Sequence, residues 1–145
     1  MRGDHIGIHI RCGDYLSDTR NQARFGAPNV DYFRRAIELL STECDFKTIL
    51  LVSDEPDLAW QLIGKDLRDY SGMQVEMNPG TLEEDFCALA ASRAVVLSNS
   101  TFSWWAAWLG TALRNAPVVF PEPWYLDRSM DAKGLAYPGW HPVPR

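Results

Sequence analysis

The chain has 145 residues, a net charge of −5, 46% hydrophobic and 23% charged residues, which suits one globular domain with a sizeable core. The acidic balance excludes nonspecific nucleic-acid binding, which needs a basic face, but not a small phosphorylated ligand held by a local cluster of donors. Cys12, Cys44 and Cys87 are odd in number and widely spaced. They fit neither a disulfide framework nor a zinc motif, so reduced thiols and a cytoplasmic setting are expected. No apolar run is long enough to span a bilayer, and no signal peptide is expected; peripheral association with the inner face of a membrane is the variant of that expectation. The first strand begins almost at once, which suggests a domain cut from something larger.

In chain order, Ile6 to Ile10 reads as strand one. A polar stretch from Cys12 to Pro28 reads as a loop, and loops of that length are often functional. Asn29 or Asp31 caps a helix through about Leu40, with Tyr32, Phe33, Ala36, Ile37 and Leu40 on one face. Thr48–Val52 is an apolar strand ending at Ser53-Asp54-Glu55-Pro56, followed by a short helix from Asp57 to Ile63. Met73–Met77 alternates as strand three, and Asn78-Pro79-Gly80 is a turn. Thr81-Leu82-Glu83-Glu84 is a capping box that opens a helix to about Ala91. Ala94–Ser98 is strand four, an aromatic helix follows, and Pro117–Phe120 is strand five. The Pro- and Trp-rich tail from Pro121 reads as irregular. Continuously apolar strands separated by helices imply a parallel sheet covered on both faces, an α/β fold of the Rossmann-like doubly wound type. With strand order 3-2-1-4-5, strands one and four meet at the switch point, where ligands bind beyond the carboxyl ends.

Two polar knots follow those strands. Ser98-Asn99-Ser100-Thr101-Phe102-Ser103-Trp104-Trp105 joins strand four to a helix, and free N–H groups at a helix start beside hydroxyls suit an anion. His9-Ile10-Arg11-Cys12-Gly13-Asp14-Tyr15 follows strand one. A guanidinium at Arg11 can grip a diphosphate bidentately; the competing reading is an ion pair with Asp14. His9 faces the same side as Arg11, although a lone strand histidine is more often a core residue. Asp85 can accept from N1–H and the exocyclic amine of guanine, whereas Glu83 and Glu84 fit first-turn acids that favour the helix dipole. Trp104, Trp105 and Trp108 read as helix packing. The Asn99-Ser100-Thr101 glycosylation pattern is rejected because the turn is tight. Asp54-Glu55-Pro56-Asp57 fits a helix cap better than a metal site. Dinucleotide, P-loop and serine-hydrolase motifs are absent.

The segment His9-Ile10-Arg11-Cys12-Gly13-Asp14-Tyr15 resembles the His-x-Arg-x-x-Asp motif of α-1,2-fucosyltransferases and their α-1,6 and protein O-fucosyltransferase relatives. Ser53-Asp54, Asp85, Asn99-Ser100-Thr101-Phe102-Ser103-Trp104-Trp105 and Pro121-Glu122-Pro123-Trp124 follow in the same order, and the α-1,2 group, glycosyltransferase family 11, is the nearest match. The resemblance implies the donor-binding half of a GT-B glycosyltransferase. That enzyme would transfer L-fucose from GDP-fucose to a sugar hydroxyl with inversion and without a metal or other cofactor. It implies that Arg11 contacts the β-phosphate, that His9 lines the same site, that Asp85 holds guanine, and that Ser100, Thr101 and Phe102 hold the phosphates. Ser53, Asp54, Asn99 and Ser103 complete the donor-site set. Asp14 is the candidate catalytic base, or else it orients Arg11. Cys12 stands where a second arginine is common, and the amino-terminal acceptor half of the family is absent. The implied partners are GDP-fucose, a glycan acceptor, and the missing amino-terminal domain or a partner chain. Two other readings are a noncatalytic nucleotide-binding or regulatory α/β domain, and a protein-binding domain that docks through its Trp-rich tail.

Overall fold

The computed structural model describes residues 3–145. Six parallel strands lie in the order β3-β2-β1-β4-β5-β6, the predicted doubly wound order with one strand added at the edge. They are β1 His5–Ile10, β2 Thr48–Ser53, β3 Gln74–Met77, β4 Ala94–Val96, β5 Val118–Glu122 and β6 His141–Pro144. Side chains alternate across the sheet. Ile6, Ile8 and Ile10 of β1 join Ile49 and Leu51 of β2 on one face, under Tyr32, Phe33, Ala36, Ile37 and Leu40 of helix α3, Val30–Glu43. Val52, Val95 and Leu97 turn to the other face, under α6 (Leu82–Ala91) and α7 (Thr101–Arg114). Burial on both faces is why these strands read as unbroken apolar runs.

Side-chain caps fix the starts of α3 and α6. Asn29 accepts from the Asp31 N–H at the start of α3. Thr81 and Glu84 form the reciprocal capping box of α6. Three expectations are corrected. The stretch read as a loop forms two short helices, α1 Gly13–Ser17 and α2 Thr19–Phe25. Neither is long enough to show a periodic apolar face, and α2 is held by Asp18 accepting from Arg20 N–H at 2.8 Å. The helix after β2 does not stop at Ile63. It runs as α4 (Pro56–Ala59), a π-turn (Trp60–Gly64) and α5 (Lys65–Ser71) to a left-handed Gly72. The tail is not wholly irregular, since β6 pairs with β5. Pro142 and Pro144 disguise it, but an edge strand tolerates residues without an N–H.

Candidate functional site at the carboxyl edge of the sheet

Register aligns the strand ends. Ile10 pairs with Ser53 and Ile8 with Val96, so the loops after β1, β2 and β4 emerge side by side. The two polar knots meet there: His9 Nδ1 and Ser98 Oγ lie 2.6 Å apart. The His9 ring also lies against Phe102, centroids 5.4 Å apart. His9 is 4% exposed. Burial, reinforced by Arg11 and opposed by Asp54, lowers its pKa to about 4. The imidazole is therefore neutral near pH 7 and brings no positive charge to the edge.

Arg11 is the cation of the β1 knot. Its Nη2 donates to Asp14 Oδ1 at 2.7 Å and its Nη1 lies 3.1 Å from Asp54 Oδ2. The ion pair weighed as the competing reading is thus present, and Asp54 shares it. A guanidinium has five N–H donors, so two such contacts leave three for a ligand. Its face rests on Tyr15, 5.3 Å from the ring centroid. Asp54 also accepts from Cys12 N–H at 2.9 Å, which ties the β1 and β2 loops together. Ser53 Oγ accepts from Glu55 N–H at 3.1 Å. A side chain at Gly13 would collide with Asp54 Oδ2, so only glycine lets this carboxylate approach. Cys12 is wholly buried on the α3 side, where burial pushes its thiol pKa up. Residue 12 thus adds no charge to the edge.

At α7, Ser100 occupies the N-cap position without a side-chain cap bond, while its carbonyl accepts from Trp104 N–H. The first-turn N–H groups of Thr101, Phe102 and Ser103 have no intrahelical acceptor, and Thr101 is exposed. Ser103 is wholly buried and Asn99 nearly so. The Ser103 hydroxyl donates to Ser98 and Ser100 carbonyls. Asn99 Nδ2 donates to Phe25 O at 2.7 Å and Trp124 O at 3.3 Å. These two side chains hold the turn, whereas Ser100, Thr101 and Phe102 border it. Trp104 packs with Tyr137 and Trp140 and donates to Leu135 O. Trp105 meets Trp104 and Trp108 edge to face, at 5.0 and 5.8 Å between centroids, and keeps 56% of its surface exposed.

Asp85 lies further along the edge, in a cleft of about 460 Å³ shared with Ser53, Asp57, Trp60, Met77 and Asn78. Burial raises its carboxyl pKa, opposed by a hydrogen bond from Asn78. Phe86, beside Asp85 on α6, meets Phe102 of α7 edge to face at 5.8 Å. This contact connects the Asp85 cleft to the α7 turn. Asn78 and Trp60 were not singled out from the sequence. The available signal for Asn78 was its place just past the end of β3, at the carboxyl edge of the sheet. A second cation, Arg145, is spent on structure, donating to carbonyls of Phe25, Pro123 and Trp124.

Comparisons with known proteins identify the family and the fold. The model of Glycosyl transferase family 11 matches residues 1–141. The Escherichia coli O-antigen biosynthesis glycosyltransferase WbnK is 27% identical over 118 residues, covering 81% of this chain and 38% of that protein. An alpha-1,2-colitosyltransferase of Escherichia coli is 26% identical over 121 residues, covering 83% of this chain and 41% of its own length. Galactoside alpha-(1,2)-fucosyltransferase 1 of Oryctolagus cuniculus is 24% identical over 125 residues, with coverages of 83% and 33%. The crystal structure of POFUT1 in complex with GDP superposes with a TM-score of 0.56 at 16% identity, over 81% of this chain and 41% of that one; the likeness is one of fold. The chain thus spans 33–41% of the length of these relatives. With its matched residues running through both knots, the Asp85 cleft and the α7 turn, this chain belongs to glycosyl transferase family 11.

Proposed function

We propose that this chain is the GDP-fucose-binding domain of an inverting, metal-independent galactoside α-1,2-fucosyltransferase, the donor half of a GT-B enzyme. The observation that carries the reading is a single edge bearing three recognition elements in sequence. The Asp85 cleft suits the base, Arg11 the diphosphate, and the open first turn of α7 the phosphate oxygens. The family match and the fold likeness to a protein solved with GDP support it. The part of the relatives' length that this chain does not span is the proposed source of the acceptor side, with a glycan as acceptor.

In the proposed reaction the acceptor hydroxyl oxygen forms a bond to the anomeric carbon of fucose as the bond from that carbon to the β-phosphate oxygen breaks. The bonding pair leaves with GDP, and the hydroxyl proton passes to a base. Negative charge grows on the β-phosphate, and in this reading the Arg11 guanidinium and the α7 N–H groups would stabilise it in place of a metal. His9, neutral, lines the site and keeps Ser98 in place. Asp14 already accepts from Arg11, which favours its role in orienting the guanidinium over that of base. Ser53 and Asp54 act by shaping the Arg11 loop.

Thermal shift against GDP, GDP-fucose, GDP-mannose, UDP and ADP tests the donor class. GDP and GDP-fucose are expected to raise Tm, because a ligand bound only by the native state stabilises it in proportion to RT ln(1 + [L]/Kd). UDP and ADP are expected to give no shift. Equal shifts across all five nucleotides would remove the guanine assignment.

A further inference from the structure

The Asp85 cleft has a second polar side chain whose geometry points inward on the acid. Asn78 follows β3, and its N–H donates to Leu51 O at 2.8 Å, which fixes its backbone to the end of β2. Its side-chain Nδ2 donates to Asp85 Oδ1 at 2.6 Å. An ionised carboxylate only accepts, so the amide must present its nitrogen there. The turn is shaped around that amide: a side chain at Gly80 would come within 2.8 Å of Asn78 Nδ2. The other end is equally fixed, because the Thr81–Glu84 capping box sets the first turn of α6 on which Asp85 sits. Asn78 therefore bridges two rigid supports and sets the rotation of the Asp85 carboxylate. Each carboxylate oxygen has two lone-pair sites. Donation to one site of Oδ1 leaves the other, and all of Oδ2, for the cleft.

We infer that Asn78 is a positioning residue for base recognition: it turns Asp85 so that the carboxylate receives the N1–H and exocyclic amine of a guanine-type base. This rests on the base role proposed for Asp85. The electrostatics agree. Burial pushes the Asp85 carboxyl up, the Asn78 amide pulls it down, and Glu84 on α6 pushes it up. Asp57 lines the same cleft from α4. Only the ionised carboxylate can accept from both guanine donors. Without the amide, the acid limb of binding moves to higher pH.

The test measures GDP and inosine diphosphate binding by calorimetry between pH 5 and 8, for the wild type, Asp85→Asn, Asn78→Ala and Asn78→Ser. Inosine lacks the exocyclic amine. The wild type is expected to prefer GDP about tenfold or more, and Asp85→Asn to abolish that preference. Asn78→Ala is expected to narrow the preference about fivefold and shift the acid limb of GDP binding upward. Asn78→Ser, which keeps a short donor, is expected to lie between. If the wild type does not discriminate, or Asp85→Asn leaves discrimination intact, the base reading fails. If Asp85→Asn abolishes it while both Asn78 variants keep the wild-type ratio and pH profile, the positioning role alone fails. Equal loss of both nucleotides in the Asn78 variants with an unmoved acid limb would also overturn it, since that marks a purely structural residue.

Discussion

Replacing His9 with glutamine removes a titrating group from the core while keeping a polar side chain within reach of Ser98. In the native protein burial holds the His9 pKa at about 4, against 6.5 for an ordinary histidine. Above pH 6.5 the ring is neutral in both folded and unfolded chains and titration costs nothing. Between pH 6.5 and 4 the unfolded chain binds a proton that the folded chain refuses, so stability falls as pH falls. The gap between 6.5 and about 4, at about 1.36 kcal/mol per pH unit, amounts to about 3 kcal/mol of acid destabilisation from this one residue. Asp54 partly offsets the burial and Arg11 adds to it. The glutamine variant should be less stable at pH 7.5 by about 1–2 kcal/mol, through the altered contact with Ser98 and Phe102. Urea denaturation of both proteins from pH 7.5 to 4.5 is the assay, with the other acids cancelling in the difference. The wild type should lose its advantage as pH falls and become the less stable protein near pH 4.5. A stability difference that stays constant across that range would refute the buried, neutral histidine.

Other consequences follow from the packing. Gly13→Ala places a methyl against Asp54, the carboxylate that holds both Arg11 and the Cys12 N–H; GDP affinity should fall about fivefold, a cost of about 1 kcal/mol, and wild-type affinity in calorimetry would show that Asp54 does not position Arg11. Tyr32→Phe removes a buried hydroxyl that donates to Leu97 O at 2.6 Å, just before the α7 turn. That should cost about 1–3 kcal/mol in urea denaturation, and an unchanged midpoint would deny the bond its role.

The sheet could be read from the chain because its central strands, β1, β2 and β4, are buried on both faces and so near-continuously apolar. Asn29, and Thr81 with Glu84, act where the residues suggest. The two knots could be paired in advance because topology alone brings the ends of β1 and β4 together, and the His9–Ser98 contact is its local expression. What escaped was short or contrary to propensity. α1 and α2 are too brief for periodicity. β6 carries prolines. Gly64 looks like a helix stop, yet it is needed where Trp60 and Leu51 press on the π-turn. The Asn78–Asp85 bond depends on a turn closing over seven residues, and neither residue type announces its partner. Asn99 and Ser103 sit in the expected segment, but their side chains point to backbone carbonyls, a distinction only coordinates make.

The central claim is that Arg11 grips the diphosphate of a guanine nucleotide at this edge, and titrating GDP into the wild type and Arg11→Ala by calorimetry tests it most directly. Loss of a bidentate charged contact costs about 1.5–3 kcal/mol, so Kd should rise by about tenfold to a hundredfold. Arg11→Lys should recover little, since an ammonium cannot supply two parallel donors. Equal GDP affinity in wild type and Arg11→Ala, with both proteins folded, would contradict the account.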